Sequence, residues 1–304
     1  MKIMVAGGTG FIGKALVSQL KNIGHEIILL SRSDRSSTDN ALRCRKWDGR
    51  TLGEWADELK TTDAVINLVG APIAEKRWSK KQKEIIVDSR VQATRVIVQA
   101  IEKSEPKPKI LINASAIGYY GNVPEGDITE ISPKGRGFLA DTCSMWEKEA
   151  EVVEKFGVRT VLLRNGIVLG EGGGVLSKMI PPFQFFVGGP LGSGRQWVSW
   201  IHREDAAGVI LFALGKNEIS GPVNTTAPNP VRMRDFCRAI GKVLNRPSWI
   251  SVPAFALKLM LGEMSEMLLG GQKAIPQKLL AHHYAFKFPN LQVALRNILN
   301  EQAS

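Results

Sequence analysis

Two hydrophobic periods alternate along the first half of the chain. Short apolar runs, KIMVAG at 2–7, EIILLS at 26–31, DAVINLVG at 63–70 and KILINASA at 109–116, read as strands. Segments with helical spacing lie between them. GKALVSQLKNIGH at 13–25 carries Ala15, Leu16, Leu20 and Ile23 and ends near Gly24, a natural C-cap, while EIIVDSRVQATRVIVQAIEKS at 84–104 reads as a long helix. VRTVLLRNGIVLG at 158–170 and GPVNTTA at 221–227 read as later strands. Repeats of strand, helix and strand build a parallel sheet, so the expected class is α/β, a doubly wound parallel sheet with helices on both faces. After Gly170 the texture changes to glycine, proline and broken apolar runs, in GEGGG, MIPPFQFFVGGPLGSGRQ and NPVRMRDFCRAIGKVLNRPSW. Such segments are expected to cap a site instead of extending a sheet.

The turn between the first strand and the first helix carries candidate chemistry. AGGTGFIG places Gly7, Gly10 and Gly13 at the spacing G-x-x-G-x-x-G, where backbone N–H groups and the positive end of a helix can approach a pyrophosphate. A merely structural turn is the bland alternative, but the order strand, glycine loop, helix, strand favours a dinucleotide. An acidic residue at the end of the second strand would hold the ribose hydroxyls of NAD; the chain has Ser31, Arg32 and Ser33 there. A guanidinium grips a 2′-phosphate bidentately, which favours NADP (NADPH) as cofactor. Asp34 and Arg35 leave the alternative open, since a loop shifted by two residues would bring a carboxylate to the ribose. The expected organisation is a Rossmann-like NADP-binding domain over 1–168, with 201–226 returning to it. A smaller, mostly helical substrate lobe takes 169–200 and 227–304, with a C-terminal module at about 250–300.

Composition narrows the partners. The chain has 304 residues, 44% of them apolar, and a formal net charge of +11. Positive residues cluster at Arg32, Arg35, Arg43, Arg45, Lys46 and Arg50 and again at Lys76, Arg77, Lys80, Lys81 and Lys83. Aromatic rings are not interleaved with them as a single-strand platform requires, so no nucleic acid is expected. No apolar run approaches the length a bilayer needs and no removable leader is read, so no membrane partner is expected and the location is cytoplasmic. Cys44, Cys143 and Cys237 form no C-x-x-C pair, and the four histidines show no metal-ligand spacing, so neither disulfides nor a metal are expected.

Longer motifs now carry a resemblance. The glycine turn, NLVGA at 67–71, SAIGYYG at 115–121, RNGIVLG at 164–170 and WIHREDAAGVI at 200–210 together resemble the extended short-chain dehydrogenase/reductases, the group of nucleotide-sugar epimerases and dehydratases. NLVGAPIAEKRW, IVDSR, CSMWE, GGPLGSGRQWVSWIHRED and the tail GQKAIPQKLLAHHYAFKFPNLQVAL are similar to an atypical branch labelled the epimerase family, which ends in a small DUF1731-like module. The resemblance covers nearly the whole chain. It implies that Gly7, Thr9, Gly10, Phe11, Ile12 and Gly13 hold the phosphates, that Ser31 and Arg32 meet the adenosine ribose phosphate, and that Leu68, Val69 and Gly70 run beside adenine and ribose. It places Arg90 on the cofactor side of the sheet, against the alternative of an ion pair within the helix layer, and Arg164 to Val168 beside the nicotinamide. It also implies a small-molecule substrate, with nucleotide sugars as one class, and a homodimer through a helix bundle around Trp146.

One part of the family pattern is missing. Members use a tyrosine to move the proton and a lysine four residues later, on the same helix face, to lower its pKa. Aligned on Glu151, those positions hold Cys143 and Glu147. A thiol is a poor substitute for a phenol unless a cation lowers its pKa, and a carboxylate works in the opposite direction. The serine position is displaced as well, with Ala116 in register and Ser115 one residue off. The remaining catalytic candidates are Ser115, Tyr120 (or its neighbour Tyr119), Cys143 and Glu147. Trp146 is read as packing the helix onto the sheet, His202 as structural, Asp205 as the N-cap of a helix and Arg195 as able to meet an anion.

Two functions stay open at this point. The first is an NADP-dependent epimerase or reductase with nonstandard catalytic residues. The alternative is a non-catalytic NADP(H)-sensing regulator, in line with relatives linked to cell or plastid division. The absent tyrosine and lysine favour the second, and the intact cap favours the first.

Overall fold

The computed structural model describes residues 1–32 and 42–300. Ser33, Asp34 and Arg35 therefore lie outside the described residues. In chain order the first half holds β1 (Lys2–Ala6), α1 (Phe11–Asn22), β2 (Glu26–Ser31), β3 (Leu42–Lys46), β4 (Ala64–Asn67), α2 (Lys80–Lys103), β5 (Ile110–Ala116), β6 (Val123–Ile128), α3 (Phe138–Glu151), β7 (Arg159–Asn165) and β8 (Ile167–Leu169). The second half holds α4 (Leu176–Gln184), β9 (Trp197–Val198), β10 (Trp200–His202), α5 (Arg203–Gly215), β11 (Gly221–Thr225), β12 (Val231–Arg232), α6 (Met233–Leu244), α7 (Ala254–Leu261), α8 (Glu266–Leu269), β13 (Gln272–Ala274), α9 (Gln277–Ala281) and α10 (Leu291–Asn300).

Seven parallel strands form one sheet in the order β11-β7-β5-β4-β1-β2-β3. The apolar runs are continuous because both faces of this sheet are covered. On β1, Ile3 and Val5 enter a cluster with Leu16 and Leu20 of α1 and Ala207 and Ile210 of α5, whereas Met4 and Ala6 enter one with Ala93, Ile97 and Ile101 of α2. The strand order reverses between β1 and β4, so the loops leaving them diverge and open a crevice at the carboxyl ends of the strands, where ligands of such folds bind.

Several elements depart from the sequence pattern for identifiable reasons. LRCRK, part of the first basic cluster, is the edge strand β3; Arg45 pairs with Glu58 and Arg43 lies 3.8 Å from Glu26, so this cluster is partly neutralised. Helix α2 starts at Lys80, four residues before the apolar pattern begins, because the Ser79 hydroxyl accepts from the Gln82 N–H at 3.2 Å. The stretch after Asn229 contains the regular helix α6. Its buried Met233, Phe236, Cys237 and Ile240 share one face and pack with Phe183, Ala294 and Leu295 in the core of the second lobe.

Helix α5 is capped differently from the sequence expectation. The His202 ring, not Asp205, takes the N-cap position, with Nδ1 accepting from the Glu204 N–H at 3.1 Å. Asp205 sits in the first turn and accepts from the backbone of Lys287 at 2.7 Å and Phe288 at 2.9 Å. That carboxylate ties the C-terminal segment to a helix of the main sheet.

Candidate functional site

The glycine turn is built by close approach of backbone to backbone. Gly7 has φ +83°, and a Cβ there would lie 2.9 Å from the carbonyl carbon of Leu68 in the neighbouring loop. A Cβ on Gly13 would lie 2.3 Å from the Gly7 oxygen and 2.6 Å from the Gly8 Cα, so helix α1 can seat against β1 only with glycine there. Gly10 is the N-cap of α1; no side chain caps this helix and its first turn holds no acid. Its leading N–H groups are thus left for an outside acceptor, beside the exposed Thr9 and Gly10. The Phe11 ring packs under the loop after β8, where a Cβ on Gly173 would come within 2.9 Å of it, and Arg203 lies over the same ring at 5.2 Å while donating to the Glu171 carbonyl at 2.8 Å. One wall of the crevice is therefore Gly170–Gly174, which reaches the turn from the second half of the chain.

The opposite wall follows β4. Leu68 donates to the Ala6 carbonyl at 2.9 Å, Val69 to the Asn67 side chain at 3.2 Å, and Gly70 faces Arg90, whose Cζ would lie 2.9 Å from a Cβ on that glycine. Arg90 donates to the Ile86 carbonyl at 2.9 Å and its guanidinium stands 5.2 Å from the Trp146 ring. Among the described residues no carboxylate pairs with it, so the ion-pair alternative fails. Burial lowers its pKa, opposed by the nearby Cys143 sulfur. Ser31 and Arg32 stand at the end of β2, with Arg32 exposed, and Val168 lies in β8 in register with Ile201.

The positions of the missing pair are filled by a buried network. Glu147 and Arg164 form a bidentate pair, with Nε to Oε1 at 2.9 Å and Nη2 to Oε2 at 2.8 Å, and both side chains are almost fully enclosed. Ser115 donates to Oε1 of the same carboxylate at 2.6 Å. Arg164 also donates to the Tyr120 hydroxyl at 2.9 Å and to the Glu130 carbonyl at 3.2 Å, and its guanidinium stacks 3.5 Å from the Tyr119 ring. Tyr120 in turn donates to Asn224 at 2.7 Å. Desolvation alone would lower the Arg164 pKa, but the Glu147 carboxylate overrides it and holds the arginine above its ordinary value.

This network decides what the candidate side chains can do. Glu147 has both oxygens engaged and is not a free base. Tyr120 is buried with its hydroxyl engaged by Arg164 and Asn224, and its pKa is pushed up to about 12 by desolvation despite the neighbouring Arg164. Cys143 is buried too; desolvation and then the Glu147 charge push its thiol up to about 11, with Arg90 opposing. Trp146 turns inward and donates to Thr94 at 2.9 Å, which removes it from any helix-bundle surface. Arg195 is exposed, and its carbonyl accepts from Arg232 at 2.6 Å.

The C-terminal segment locks onto the same network. Glu130 Oε1 accepts from the backbone N–H of Asn224 at 3.1 Å and of Lys278 at 3.2 Å, Asn224 donates to the Ile275 carbonyl at 2.9 Å, and Gln272 donates to the Ile117 carbonyl. Sequence reasoning missed Glu130 and Asn224 entirely. The signal it had for Arg164 was a charge inside the apolar run RTVLLRN, which demands a buried partner.

Buried, protonated thiols are inert, so the native protein at about pH 7.5 should react with iodoacetamide at the half-exposed Cys44 and not at Cys143 or Cys237. Intact-mass analysis is expected to show one adduct, rising to three after unfolding. Among the described residues no group of three or more His, Cys, Asp or Glu could hold a metal.

Residues 3–225 match the NAD dependent epimerase/dehydratase family. The chain belongs to this family. Residues 252–298 match a domain of unknown function, DUF1731, which covers α7 to α10. The chain is 43% identical over 306 residues to the epimerase family protein YfhF of Bacillus subtilis, covering 99% of each. It is also 43% identical to the chloroplastic SDR39U1 homolog of Arabidopsis thaliana, covering 98% of this chain and 87% of the plant protein. Among solved structures it resembles the human epimerase family protein SDR39U1 with NADPH, at 33% identity and a TM-score of 0.88 over 99% of both chains.

Proposed function

We propose that this chain is an NADP(H)-dependent epimerase-family protein that holds the dinucleotide across the crevice and acts on a small molecule beneath the second lobe without the usual tyrosine–lysine pair. The observation that carries it is the uncapped start of α1 behind Gly7, Gly10 and Gly13, a cradle for a pyrophosphate. Arg90 adds a cation that no carboxylate among the described residues pairs with, beside Gly70 and suited to an anionic ligand group. In this reading Gly7, Thr9, Gly10, Phe11, Ile12 and Gly13 hold the phosphates, Ser31 and Arg32 the 2′-phosphate, and Leu68, Val69, Gly70 and Val168 flank the nucleoside moieties. The human relative with NADPH supports the same choice of dinucleotide.

Bound there, the dinucleotide supplies hydride transfer. The chain's own part is to position it, exclude water and deliver a proton by another route. Glu147 orients the Ser115 hydroxyl, and Cys143 stays protonated near neutral pH. Nucleotide sugars are one substrate class consistent with the family, and a cytoplasmic homodimer belongs to the same proposal.

Arg32→Ala should weaken NADPH binding roughly tenfold while leaving NADH nearly unchanged, because a single exposed charge-assisted contact contributes about 1.5 kcal/mol. Titration of both dinucleotides checks it, and equal affinities in the unaltered protein would count against the NADP preference.

A non-catalytic NADP(H)-sensing regulator, of the kind linked to cell division, is the second reading. The observation in its favour is that Glu147 has both oxygens in hydrogen bonds while burial keeps Tyr120 and Cys143 protonated near neutral pH. Single-turnover oxidation of bound NADPH over a panel of carbonyls and sugar nucleotides separates the two. Turnover of any member that survives Cys143→Ala identifies an enzyme with a nonstandard route. Inertness of the whole panel, with NADPH still stabilising the fold, assigns the sensor.

A further inference from the structure

The two walls of the crevice both meet the glycine turn, and they meet each other as well. Lys178 of α4 donates from Nζ to the Ala74 carbonyl, in the loop after β4, at 2.5 Å. Followed from contact to contact, the chain closes a ring. Gly7 approaches Leu68 backbone to backbone, and the chain runs on from Leu68 to Ala74. Lys178 joins Ala74 to α4, and the chain runs back from Lys178 to Gly174. A Cβ on Gly174 would lie 3.2 Å from the Phe11 ring, which returns to the turn. The start of α1, whose leading N–H groups are left for an outside acceptor, is a segment of this ring.

The links of the ring differ in what holds them. Leu68 is fixed beside Gly7 by its own bond to the Ala6 carbonyl at 2.9 Å. Phe11 is packed by Gly173, Gly174 and Arg203. Helix α4 is anchored in the core of the second lobe by Leu176, Ile180 and Phe183. The loop after β4 is anchored too: Trp78 donates to the Ile73 carbonyl at 2.9 Å and clusters with Met264, and Lys83 in the first turn of α2 pairs with Glu263. Lys178 bridges instead through an exposed side chain, which no carboxylate among the described residues pairs with. Its flexible four-carbon stem can leave the carbonyl without any movement of the backbone.

We propose that Lys178 is a gate on the dinucleotide crevice. Bonded to Ala74, it closes the ring over the cradle and over a bound NADPH alike; the dinucleotide enters and leaves while the side chain is swung away. The inference rests on the dinucleotide reading above and adds the control of access to that site. A link of equal strength with and without the ligand does not shift the binding equilibrium, and it scales both rates by the fraction of time the gate is open. A residue that contacts the dinucleotide would change the dissociation constant instead.

Stopped-flow mixing of the full-length chain with NADPH, followed by nicotinamide fluorescence, tests this. Lys178→Ala, at an exposed position, is expected to raise the association and dissociation rate constants together. The rise should be roughly five- to tenfold, the effect of losing one charge-assisted bond that holds the gate shut, with the dissociation constant unchanged within about twofold. Lys178→Arg, which can still donate to a carbonyl, is expected to keep both rates near those of the unaltered protein. Unaltered rates in Lys178→Ala would overturn the gate. So would a higher dissociation constant with slower association, which would make Lys178 a contact of the dinucleotide. Absence of NADPH binding by the unaltered protein would sink the dinucleotide reading and the gate with it, whereas binding at rates indifferent to Lys178 sinks the gate alone.

Discussion

Arg164→Met should destabilise the protein by about 3–5 kcal/mol, the cost of leaving one partner of a buried ion pair without the other. The change strips the Glu147 carboxylate of two charge-assisted bonds and removes the donors to the Tyr120 hydroxyl and the Glu130 carbonyl. Glu147 is then buried with only the Ser115 hydroxyl to stabilise its charge. Arg164→Lys should be nearly as damaging, because an ammonium cannot make the fork that meets both carboxylate oxygens. The double variant Arg164→Met with Glu147→Leu should recover most of the loss, since two apolar side chains leave no orphaned charge. Urea midpoints on the unaltered protein, these variants and Glu147→Leu measure this; losses in the double variant equal to the sum of the two single losses would mean that the pair does not act as a unit.

Gly13→Ala should raise the NADPH dissociation constant by on the order of a hundredfold, about 2.7 kcal/mol. The new methyl carbon would fall 2.3 Å from the Gly7 oxygen and 2.6 Å from the Gly8 Cα, both backbone atoms that cannot rotate away. The turn must open, and the N–H groups at the start of α1 lose their alignment on the pyrophosphate. Gly215→Ala is the control: nothing lies within 4 Å of a Cβ there, and dinucleotide affinity should not change. Calorimetric or fluorescence titration of both variants checks the contrast. Wild-type affinity in Gly13→Ala would remove the cradle as the basis of the proposed function.

The Tyr–Lys replacement shows where sequence reasoning stopped. Cys143 and Glu147 were legible as departures from a family pattern, because a step of four residues on one helix places them on one face. What Glu147 does instead was not legible, since its partner Arg164 comes from β7 and the network continues through Asn224 of β11 and Glu130 before β7. No local period links side chains that far apart. The same holds for Asp205: its sequence position near a helix start suggested a cap, and only the fold brings the Lys287 and Phe288 amides to it.

The sequence alone determined the sheet, because continuous apolar runs alternating with amphipathic segments leave few ways to bury both patterns, and it determined the glycine turn, because that requirement is local to backbone geometry. It also marked the loss of the usual proton-transfer pair. Tertiary structure decided the rest. It turned the would-be catalytic positions into an enclosed ion pair, left Arg90 without a carboxylate partner among the described residues, and wired the C-terminal segment to Glu130 and Asn224. Each of these depends on the desolvation and pairing of groups distant in the chain, and that energy exists only once the elements have packed.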